Sequence, residues 1–330
     1  MKQIMIKVEV LKAKHGDCIF ITVCDEGKEY VILIDGGLDT TYQERRRRQS
    51  GPLKEKLSKL KEEGKHIDLL IITHIDYDHI GGILKWFETD FPKEEFVRKI
   101  WINDDVTIDD TSNLNNNAKH AVSLLKLLDN HNVAHEGQIV AGKEVLFDWG
   151  KIYVLAPNAV DHNAIAKRIA ANLDNKLNTS YHINIKDHVK KGWTVEDLTP
   201  ENDASIAILL HTNNGENGLF LGDANIDTVI QSISNLKVFE KPLCCKWVKL
   251  AHHGSKNNFK PEFLQLVDGE NYIFSSNGDY YGHPDKEVAA LLIDKTNAIL
   301  WFNYVERGRS MITEQDKNDY PDVMDRIKEL

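Results

Sequence analysis

The sequence lacks the features that mark a membrane, secreted or disulfide-stabilised protein. No apolar run approaches the roughly 20 residues that a transmembrane helix needs, and the first ten residues are typical of a strand rather than of a signal peptide. The 330 residues include only four cysteines, at positions 18, 24, 244 and 245, and these form no C-x-x-C pair. We therefore expect a cytoplasmic protein, not associated with a membrane, whose cysteines are reduced.

The sequence also lacks an excess of basic residues. Lys and Arg number 41 against 51 Asp and Glu, which gives a formal net charge of −10. This balance argues against a protein that coats nucleic acid through a broad basic face. It does not exclude a nucleic-acid or nucleotide substrate, because bound cations supply positive charge locally. Internal repeats and Pro/Gly-rich linkers are absent too, and we expect one domain over residues 1–330.

The most informative stretch is residues 69–82, with the sequence LLIITHIDYDHIGG. Its apolar first half predicts a buried strand that ends near Thr73. Its second half places four potential metal ligands within six residues. Clustered carboxylates repel each other and lose hydration unless a cation lies between them. A metal site explains this spacing better than a polar loop that happens to be rich in His and Asp. The four candidate ligands are His74, Asp76, Asp78 and His79.

Other predicted strands end in the same kinds of residue. Residues 30–37 end in Asp35 and two glycines, residues 218–223 end in Asp223, and residues 246–255 carry His252 and His253. If these strands run in a common direction, their ends meet at one edge of the sheets. We therefore predict a single metal centre there.

The remaining chain shows alternating strand and helix patterns. Residues 157–203 are polar and irregular, and we interpret them as an insertion or lid over the site. The other predicted elements are strands at 2–11, 18–24, 99–103, 271–276 and 298–302, hairpins at 144–156 and 204–223, and helices at 52–64, 83–91, 118–131, 285–294 and 320–330, the last on the surface.

The pattern His-x-Asp-x-Asp-His-x-Gly-Gly resembles the signature of the metallo-β-lactamase-fold hydrolases, usually His-x-His-x-Asp-His, with Asp76 in place of the second histidine. This variant is similar to the soluble hydrolase domain of the competence protein ComEC. The later motifs Asn-Asp-x-Ser, Leu-Gly-Asp-Ala, Lys-x-x-His-His-Gly-Ser and Tyr-Gly-His-Pro follow in the same order as in ComEC-type domains. The resemblance runs from about residue 5 to about 305, with gaps at 103–117 and 157–203. It implies an α/β (α+β) fold, the αββα sandwich, with an inserted lid.

The resemblance also implies a centre with two divalent metal ions, Zn²⁺ or Mn²⁺. Because Asp76 is an oxygen ligand, it favours harder ions such as Mn²⁺. The ligands would be His74 and Asp76 for the first ion, Asp78, His79 and His253 for the second, and Asp223 as the bridge between them. His252 would then lie against the substrate phosphate or the leaving group, although the roles of the two adjacent histidines can be reversed.

The resemblance suggests supporting roles for several further residues. Asp35 would hold the metal loop by hydrogen bonds. Lys249 and His283 are candidate contacts for a phosphate or leaving group; the alternatives are a charge on a strand and a turn beside Pro284. The four arginines at 45–48 form either a solvated loop or a grip on phosphates.

Two further segments bear on the site. His15-Gly16-Asp17 is either a simple turn or a loop at the rim of the site. Many family members have a further histidine before the bridging aspartate, but the segment that ends in Ala156-Pro157 carries none. His162 is a weak substitute that fits a surface loop better. The first metal site is therefore predicted to be more open or weaker.

These observations predict a metal-dependent hydrolase that needs no Ser or Cys nucleophile. The favoured substrate is a phosphodiester in DNA, RNA or a nucleotide. One alternative is a metallohydrolase of a carboxylic ester, thioester or lactone. Another is a metal-binding sensor with little turnover, with protein partners in a multi-component defence or signalling system. The oligomeric state is left open.

Overall fold

The computed structural model describes residues 4–44, 49–93, 95–103, 116–159, 180–193, 203–280 and 282–330, with the backbone alone at 116–118. Within these residues the chain forms two β-sheets with helices on their outer faces. The predicted α/β fold with an αββα arrangement is confirmed.

The first sheet is built from the N-terminal part of the chain. Its strands are β1 (Ile4–Val10), β2 (Ile19–Asp25), β3 (Lys28–Ile34), β4 (Leu69–Ile72) and β5 (Ile100–Ile102), in that spatial order. β1, β2 and β3 pair antiparallel, whereas β3, β4 and β5 pair parallel. β4 is buried along its whole length, as expected for a parallel strand that is covered on both faces.

The second sheet contains eight strands in chain order. They are β6 (Glu144–Phe147), β7 (Gly150–Ala156), β8 (Ala207–Thr212), β9 (Asn217–Phe220), β10 (Leu243–Lys249), β11 (Val267–Phe274), β12 (Ile299–Phe302) and β13 (Ile327–Glu329). β6 to β9 are antiparallel, and β9 to β13 are parallel. The parallel strands of each sheet therefore have their carboxyl ends at the same edge of that sheet. The clustered site requires this arrangement.

The helices have the following residue ranges. They are α1 (Asp39–Tyr42), α2 (Pro52–Glu62), α3 (Tyr77–Asp90), α4 (Asn116–Asn130), α5 (Ile185–Lys191), α6 (Ile226–Asn235), α7 (Phe263–Leu266), α8 (Lys286–Lys295), α9 (Val305–Ser310), α10 (Glu314–Asp319) and α11 (Val323–Arg326).

The period of two in the strands produces three apolar layers. In β3, Ile32 and Ile34 face the layer between the sheets, whereas Val31 and Leu33 face α2, α3 and α4. A third layer packs the outer face of the second sheet against α5, α6, α8 and neighbouring helices. Both sheets are consequently buried on two sides, and the polar ends of their parallel strands are held by a rigid interior.

The helix that carries the central motif begins earlier than predicted. The sequence pattern indicated a helix over 83–91, but α3 begins at Tyr77 and includes Asp78 and His79 in its first turn. An acidic side chain in this position is favoured by the positive end of the helix dipole. Gly81 and Gly82 lie inside the helix and do not break it. Because they have no side chains, α3 can approach the loop after β3 closely.

Gly82 shows how close this approach is. A Cβ atom on Gly82 would lie 1.9 Å from the carbonyl oxygen of Gly36. The amide of Gly82 donates to Gly37 O at 2.7 Å, and the amide of Gly36 donates to His79 O at 2.8 Å. These contacts fix α3 against the end of β3, and with it the metal-ligand candidates in the first turn.

The predicted C-terminal surface helix at about 320–330 is wrong in its second half. α11 ends at Arg326, and residues 327–329 add β13 to the edge of the second sheet. Ile327 is buried in the outer apolar layer, which explains why an extended conformation is preferred there.

The predicted insertion is described only in part. Residues 180–193 are ordered as a short 3-10 helix and α5, rather than irregular. Tyr181 Oη donates to Pro284 O at 2.6 Å, and Ile185 N donates to Asp316 Oδ1 at 2.7 Å, so this segment is anchored to the C-terminal elements. The predictions for Arg45–Arg48 and His162 lie outside the described residues, as do residues 104–115 and Asn202 of the Asn-Asp-x-Ser motif.

We predict that Gly82→Ala destabilises the protein by about 2–3 kcal/mol, a typical effect of overpacking. Alanine is favoured over glycine inside a helix by about 1 kcal/mol, but the contact with Gly36 outweighs this gain. Urea denaturation measures the free energy of unfolding. Lys85→Ala, three residues later on the exposed side of α3, is the control and should change it by less than about 0.5 kcal/mol. Equal stability of both variants would contradict the close approach.

Candidate metal centre

The metal-ligand candidates come together where parallel strands of the two sheets end. Residues after β3 and β4 supply Asp35 and the 74–79 segment, and residues after β9 and β10 supply Asp223 and the two adjacent histidines. The convergence inferred from four separate strand ends is thus present in the structure.

The first group of donors is His74, His79 and Asp223, whose candidate ligand atoms all lie within 4.8 Å of one another. Asp223 Oδ2 is 3.7 Å from His74 Nε2, and Asp223 Oδ1 is 3.5 Å from His79 Nε2. The two carboxylate oxygens therefore face different imidazoles, as a bridging ligand would. Asp76 lies at the flank of this group, with Oδ2 3.7 Å from His74 Nε2.

The second group is Asp78, His79 and His253, again within 4.8 Å of one another. Asp78 Oδ2 lies 3.7 Å from His253 Nε2. His79 belongs to both groups, so the two candidate positions overlap in one centre. Of the adjacent pair of histidines, His253 is the one that faces Asp78, in the place where we predicted the ligand of the second ion.

The donor atoms fit divalent cations chemically. Within the described part of the chain, four buried side-chain atoms at this point have no hydrogen-bond partner: Nε2 of His74, His79 and His253, and Oδ1 of Asp223. Buried polar atoms are normally paired, and leaving them unpaired costs free energy. Imidazole nitrogens together with carboxylate oxygens are the donor set of binuclear Zn²⁺ and Mn²⁺ sites.

The charges of these side chains follow from their neighbours. Burial alone would raise the pKa of Asp223, but the imidazole of His79 holds it well below its usual range. Burial also opposes ionisation of Asp78, but the nearby imidazole of His253 lowers its pKa. Burial disfavours protonated His253, yet the carboxylates of Asp17 and Asp78 raise its pKa to about 9.

Asp35 supports the centre from behind. Its side chain is fully buried, and Oδ2 lies 2.8 Å from His79 Nδ1. The carboxylate also accepts hydrogen bonds from the amide and hydroxyl of Thr73, at 2.8 and 2.7 Å. These bonds fix the His79 ring and the end of β4 together, which is the supporting position that we predicted for Asp35.

A second buried carboxylate, Asp17, supports His253. Asp17 Oδ1 lies 3.2 Å from His253 Nδ1 and accepts a hydrogen bond from Ser275 Oγ. The Gly-Asp turn therefore lies beneath the centre, not merely at its rim. It also packs tightly on the metal loop, since a Cβ on Gly16 would be 2.0 Å from Asp78 O.

Lys249 is not at the surface of the site. Its side chain is fully buried, and Nζ lies 2.8 Å from Asp17 Oδ2 and donates to Leu250 O at 2.8 Å. The predicted contact with a substrate phosphate does not fit this position. Lys249 instead compensates the charge of Asp17, because a carboxylate in an apolar interior requires a partner.

His252 and His283 occupy the more open side of the centre. The rings of His252 and His283 are 4.8 Å apart between centroids. His252 Nε2 lies 3.7 Å from Asp223 Oδ2. His283 is partly exposed, and its Nδ1 lies 3.4 Å from Asp285 Oδ2. The structure thus places His252 beside Asp223, and His283 beside His252.

Several supporting residues were not predicted in their actual roles. Asp17 was noted only as part of a turn, and Thr73, Ser275 and Asn258 were not singled out for the site. Asn258 lies 3.1 Å from His252 Nδ1 through its Oδ1. Thr73 and Ser275 directly follow β4 and β11, and Asp17 lies shortly before β2, so a position beside a strand was the signal that could have found these three. Asn258 lies in a short 3-10 helix and carried no such signal. Ser205, the serine of the Asn-Asp-x-Ser motif, accepts a hydrogen bond from the amide of Asp223 at 2.9 Å.

The comparison with protein families agrees with this geometry. Residues 12–101 match the sequence model of the metallo-β-lactamase superfamily. The matched segment contains Asp17, Asp35 and the ligand loop from His74 to His79. The match covers 90 of the 330 residues and shows a similarity of this segment to the metallo-β-lactamase superfamily. The closer similarity to ComEC-type domains stays a prediction.

The solved structures that are similar to this chain share little sequence with it. A possible metal-dependent hydrolase from Veillonella parvula is 10% identical, with 96% of this chain and 95% of that chain covered and a TM-score of 0.41. A diphosphatase of the PhnP family is 11% identical, with 86% and 72% covered and a TM-score of 0.36. A Cronobacter sakazakii metallo-β-lactamase with a HARLDQ motif is 9% identical, with 67% and 64% covered and a TM-score of 0.30, so this chain spans less than two thirds of that protein.

At these identities, the substrate of a neighbour does not transfer to this chain. A search of curated proteins found no match. Among the described residues, no helix has the length and apolar character needed to cross a membrane.

We predict that Lys249→Met destabilises the protein by about 3–5 kcal/mol, because it leaves the Asp17 carboxylate buried without a partner. Methionine keeps most of the side-chain volume, so the effect reports the lost charge. Thermal or urea unfolding of the variant measures it.

Lys246→Met is the matched control on the same strand. Lys246 is partly exposed and pairs with Glu216 at 3.0 Å, and its loss should cost less than about 1 kcal/mol. If Lys249→Met were as stable as the control but bound phosphodiesters more weakly, the phosphate contact that we first predicted would be correct.

Proposed function

We propose that this protein is a binuclear metal-dependent phosphodiesterase that acts on DNA, RNA or nucleotides. The observation that carries the proposal is the pair of overlapping donor groups, His74–His79–Asp223 and Asp78–His79–His253, with buried and unpaired ligand atoms. Such a centre suits two divalent ions, Zn²⁺ or Mn²⁺. When bound, they supply a water of lowered pKa and positive charge for the developing oxyanion.

The protein contributes a rigid set of donors to this reaction. Asp35 orients His79, and Asp17 orients His253, each through the ring nitrogen that faces away from the centre. Asp223 is held by the hydrogen bond from its own amide to Ser205 and by its place directly after β9. Because these side chains are already fixed by buried partners, little reorganisation is needed when a substrate binds.

His283 is the candidate proton donor to the leaving group. It lies beside His252, is partly exposed, and has Asp285 3.4 Å from its Nδ1. Lys256 N donates to the same Asp285 oxygen at 2.8 Å, which holds the carboxylate in place. An imidazole oriented in this way can protonate an alkoxide that leaves from phosphorus.

The preference for a phosphodiester rests on the motif resemblance. The protein is acidic overall, so an anionic substrate depends on the cations of the centre for attraction. Hydrolysis of a carboxylic ester, thioester or lactone uses the same donors and is the first alternative. A metal-binding sensor with little turnover, working with protein partners, is the second alternative.

We predict that the wild-type protein hydrolyses bis-p-nitrophenyl phosphate with Mn²⁺ or Zn²⁺, and that Asp78→Ala abolishes this activity and lowers the metal content. Asp78 provides the carboxylate beside His253, so its loss removes a charged ligand. Absorbance of nitrophenolate and mass spectrometry of bound metal measure the two effects.

Glu88→Ala is the control, since Glu88 is an exposed acid later on the same helix. It should retain both metal and activity. A metal-loaded wild type that hydrolyses carboxylic esters but no phosphodiester would support the first alternative. Bound metal without turnover on either class would support the sensor.

We further predict that His283→Ala slows hydrolysis of a dinucleotide by about 10²-fold or more, with the metal content unchanged. Hydrolysis of bis-p-nitrophenyl phosphate should fall much less, because nitrophenolate leaves without a proton. Rates on both substrates, measured with the same enzyme preparation, test this difference.

An equal loss on both substrates would contradict a proton donor and indicate a positioning role for His283. His188→Ala provides a matched control. His188 is a buried histidine that also lies near a carboxylate, that of Glu287, but it is on α5. Its rate ratio between the two substrates should equal that of the wild type.

A further inference from the structure

His252 lies beside Asp223 but belongs to neither of the two donor groups. Its Nε2 lies 3.7 Å from Asp223 Oδ2, the same oxygen that lies 3.7 Å from His74 Nε2. Two ligands of a tetrahedral ion are separated by roughly 3.4 Å when each lies about 2.1 Å from the metal. The two imidazole nitrogens therefore face the same oxygen of Asp223, each at a distance close to that between two ligands of one ion.

The tautomer of His252 is fixed by Asn258. The Asn258 amide nitrogen donates to Asp223 O at 2.9 Å and to Ala224 O at 3.2 Å, so its Oδ1 faces His252 Nδ1 at 3.1 Å. A carbonyl oxygen only accepts hydrogen bonds, so Nδ1 carries the proton. Nε2 then presents its lone pair towards Asp223, which is the form that binds a metal ion.

The other candidate ligands follow the same rule. His79 places Nδ1 against Asp35 and Nε2 towards the centre, and His253 places Nδ1 against Asp17 and Nε2 towards Asp78. His252 shares this orientation, with Asn258 as the outer partner. A side chain that only touched a substrate would not need the tautomer of a ligand.

The backbone brings both neighbouring histidines to one centre. His252 has φ 45° and His253 has φ 57°, two successive left-handed residues that are not glycine. In an extended strand, adjacent side chains point to opposite faces. The unusual conformation lets both rings reach the same point, and it is held by the His252 amide, which donates to Gly222 O at 2.9 Å. Strain of this kind is typical of functional sites.

We propose that His252 is a protein ligand of the first metal ion, together with His74, Asp76 and Asp223, rather than a contact for the substrate. His252 then supplies the imidazole that is missing from β7, which ends at Ala156 without a histidine. This inference rests on the metal centre of the proposed function, but not on the identity of the substrate.

The test measures metal binding instead of catalysis. Metal-free wild type and His252→Gly are titrated with Zn²⁺ by calorimetry, and glycine is chosen because it adopts positive φ without strain. We expect two ions per wild-type chain. In His252→Gly, we expect the affinity for one of the two ions to fall at least about 10- to 100-fold. A loss of this size is typical when a residue that supports a ligand is changed, so removal of the ligand itself should cost at least as much.

His283→Ala is the matched control, since it removes the neighbouring imidazole and should leave both affinities unchanged. Asn258→Leu is the second variant: it removes the partner that fixes the tautomer and should weaken the same ion less than His252→Gly does. The absorption spectrum of the Co²⁺-substituted protein adds an independent readout, because its intensity and position change when a ligand is lost. Thermal unfolding of the metal-free variants identifies any that fail to fold.

Two unchanged Zn²⁺ affinities in folded His252→Gly, together with lost turnover, would overturn the inference and restore His252 as a substrate contact. The outcome is separate from that of the proposed function. Wild type that binds two ions but cleaves no phosphodiester would refute the phosphodiesterase and leave the assignment of His252 intact.

Discussion

The structure depends on the orientation of its buried imidazoles. His79 and His253 each hold a carboxylate at Nδ1, and both direct Nε2 to one point shared with Asp78 and Asp223. This arrangement buries several charged and polar atoms that the described protein leaves unpaired. Burying such atoms is unfavourable unless a cation completes them. The need to balance these buried charges therefore explains both the clustered metal-ligand residues and the carboxylates that hold them from outside.

The two sheets provide the geometry that this constraint requires. β3 and β4 run parallel in one sheet, and β9, β10 and β11 run parallel in the other. Their carboxyl ends meet, so short loops are enough to bring together the candidate ligands that follow β4, β9 and β10 and the supporting residues Asp35 and Ser275 that follow β3 and β11. The layers of aliphatic side chains between and outside the sheets keep these loops at fixed positions.

The two supporting carboxylates differ in how they are balanced. Asp35 is satisfied by neutral donors of Thr73 and by His79, whereas Asp17 also faces the buried ammonium of Lys249. The second arrangement ties the Gly-Asp turn of the first sheet to β10 of the second. Metal binding at the centre and packing between the sheets are therefore linked through Asp17.

The sequence by itself determined which residues can form the centre. The strand followed by His74-x-Asp-x-Asp-His, and the strand ends at Asp35, Asp223 and His252-His253, have compositions that stability alone does not explain. The αββα fold followed from the family resemblance, since strand and helix periodicity only permitted it. Most strands and helices were placed correctly because their apolar periods are regular.

Only the tertiary structure decided what each side chain does. Lys249 and Asp17 are 232 positions apart in numbering, and no local pattern pairs them; their ion pair arises because two sheets close over both. The start of α3 and the strand β13 depended on contacts with Gly36 and with β12, which a local pattern does not contain. The orientation of His252 was set by Asn258 and by a left-handed backbone. Such features come from the packing of distant segments, so they appear only once the chain is folded.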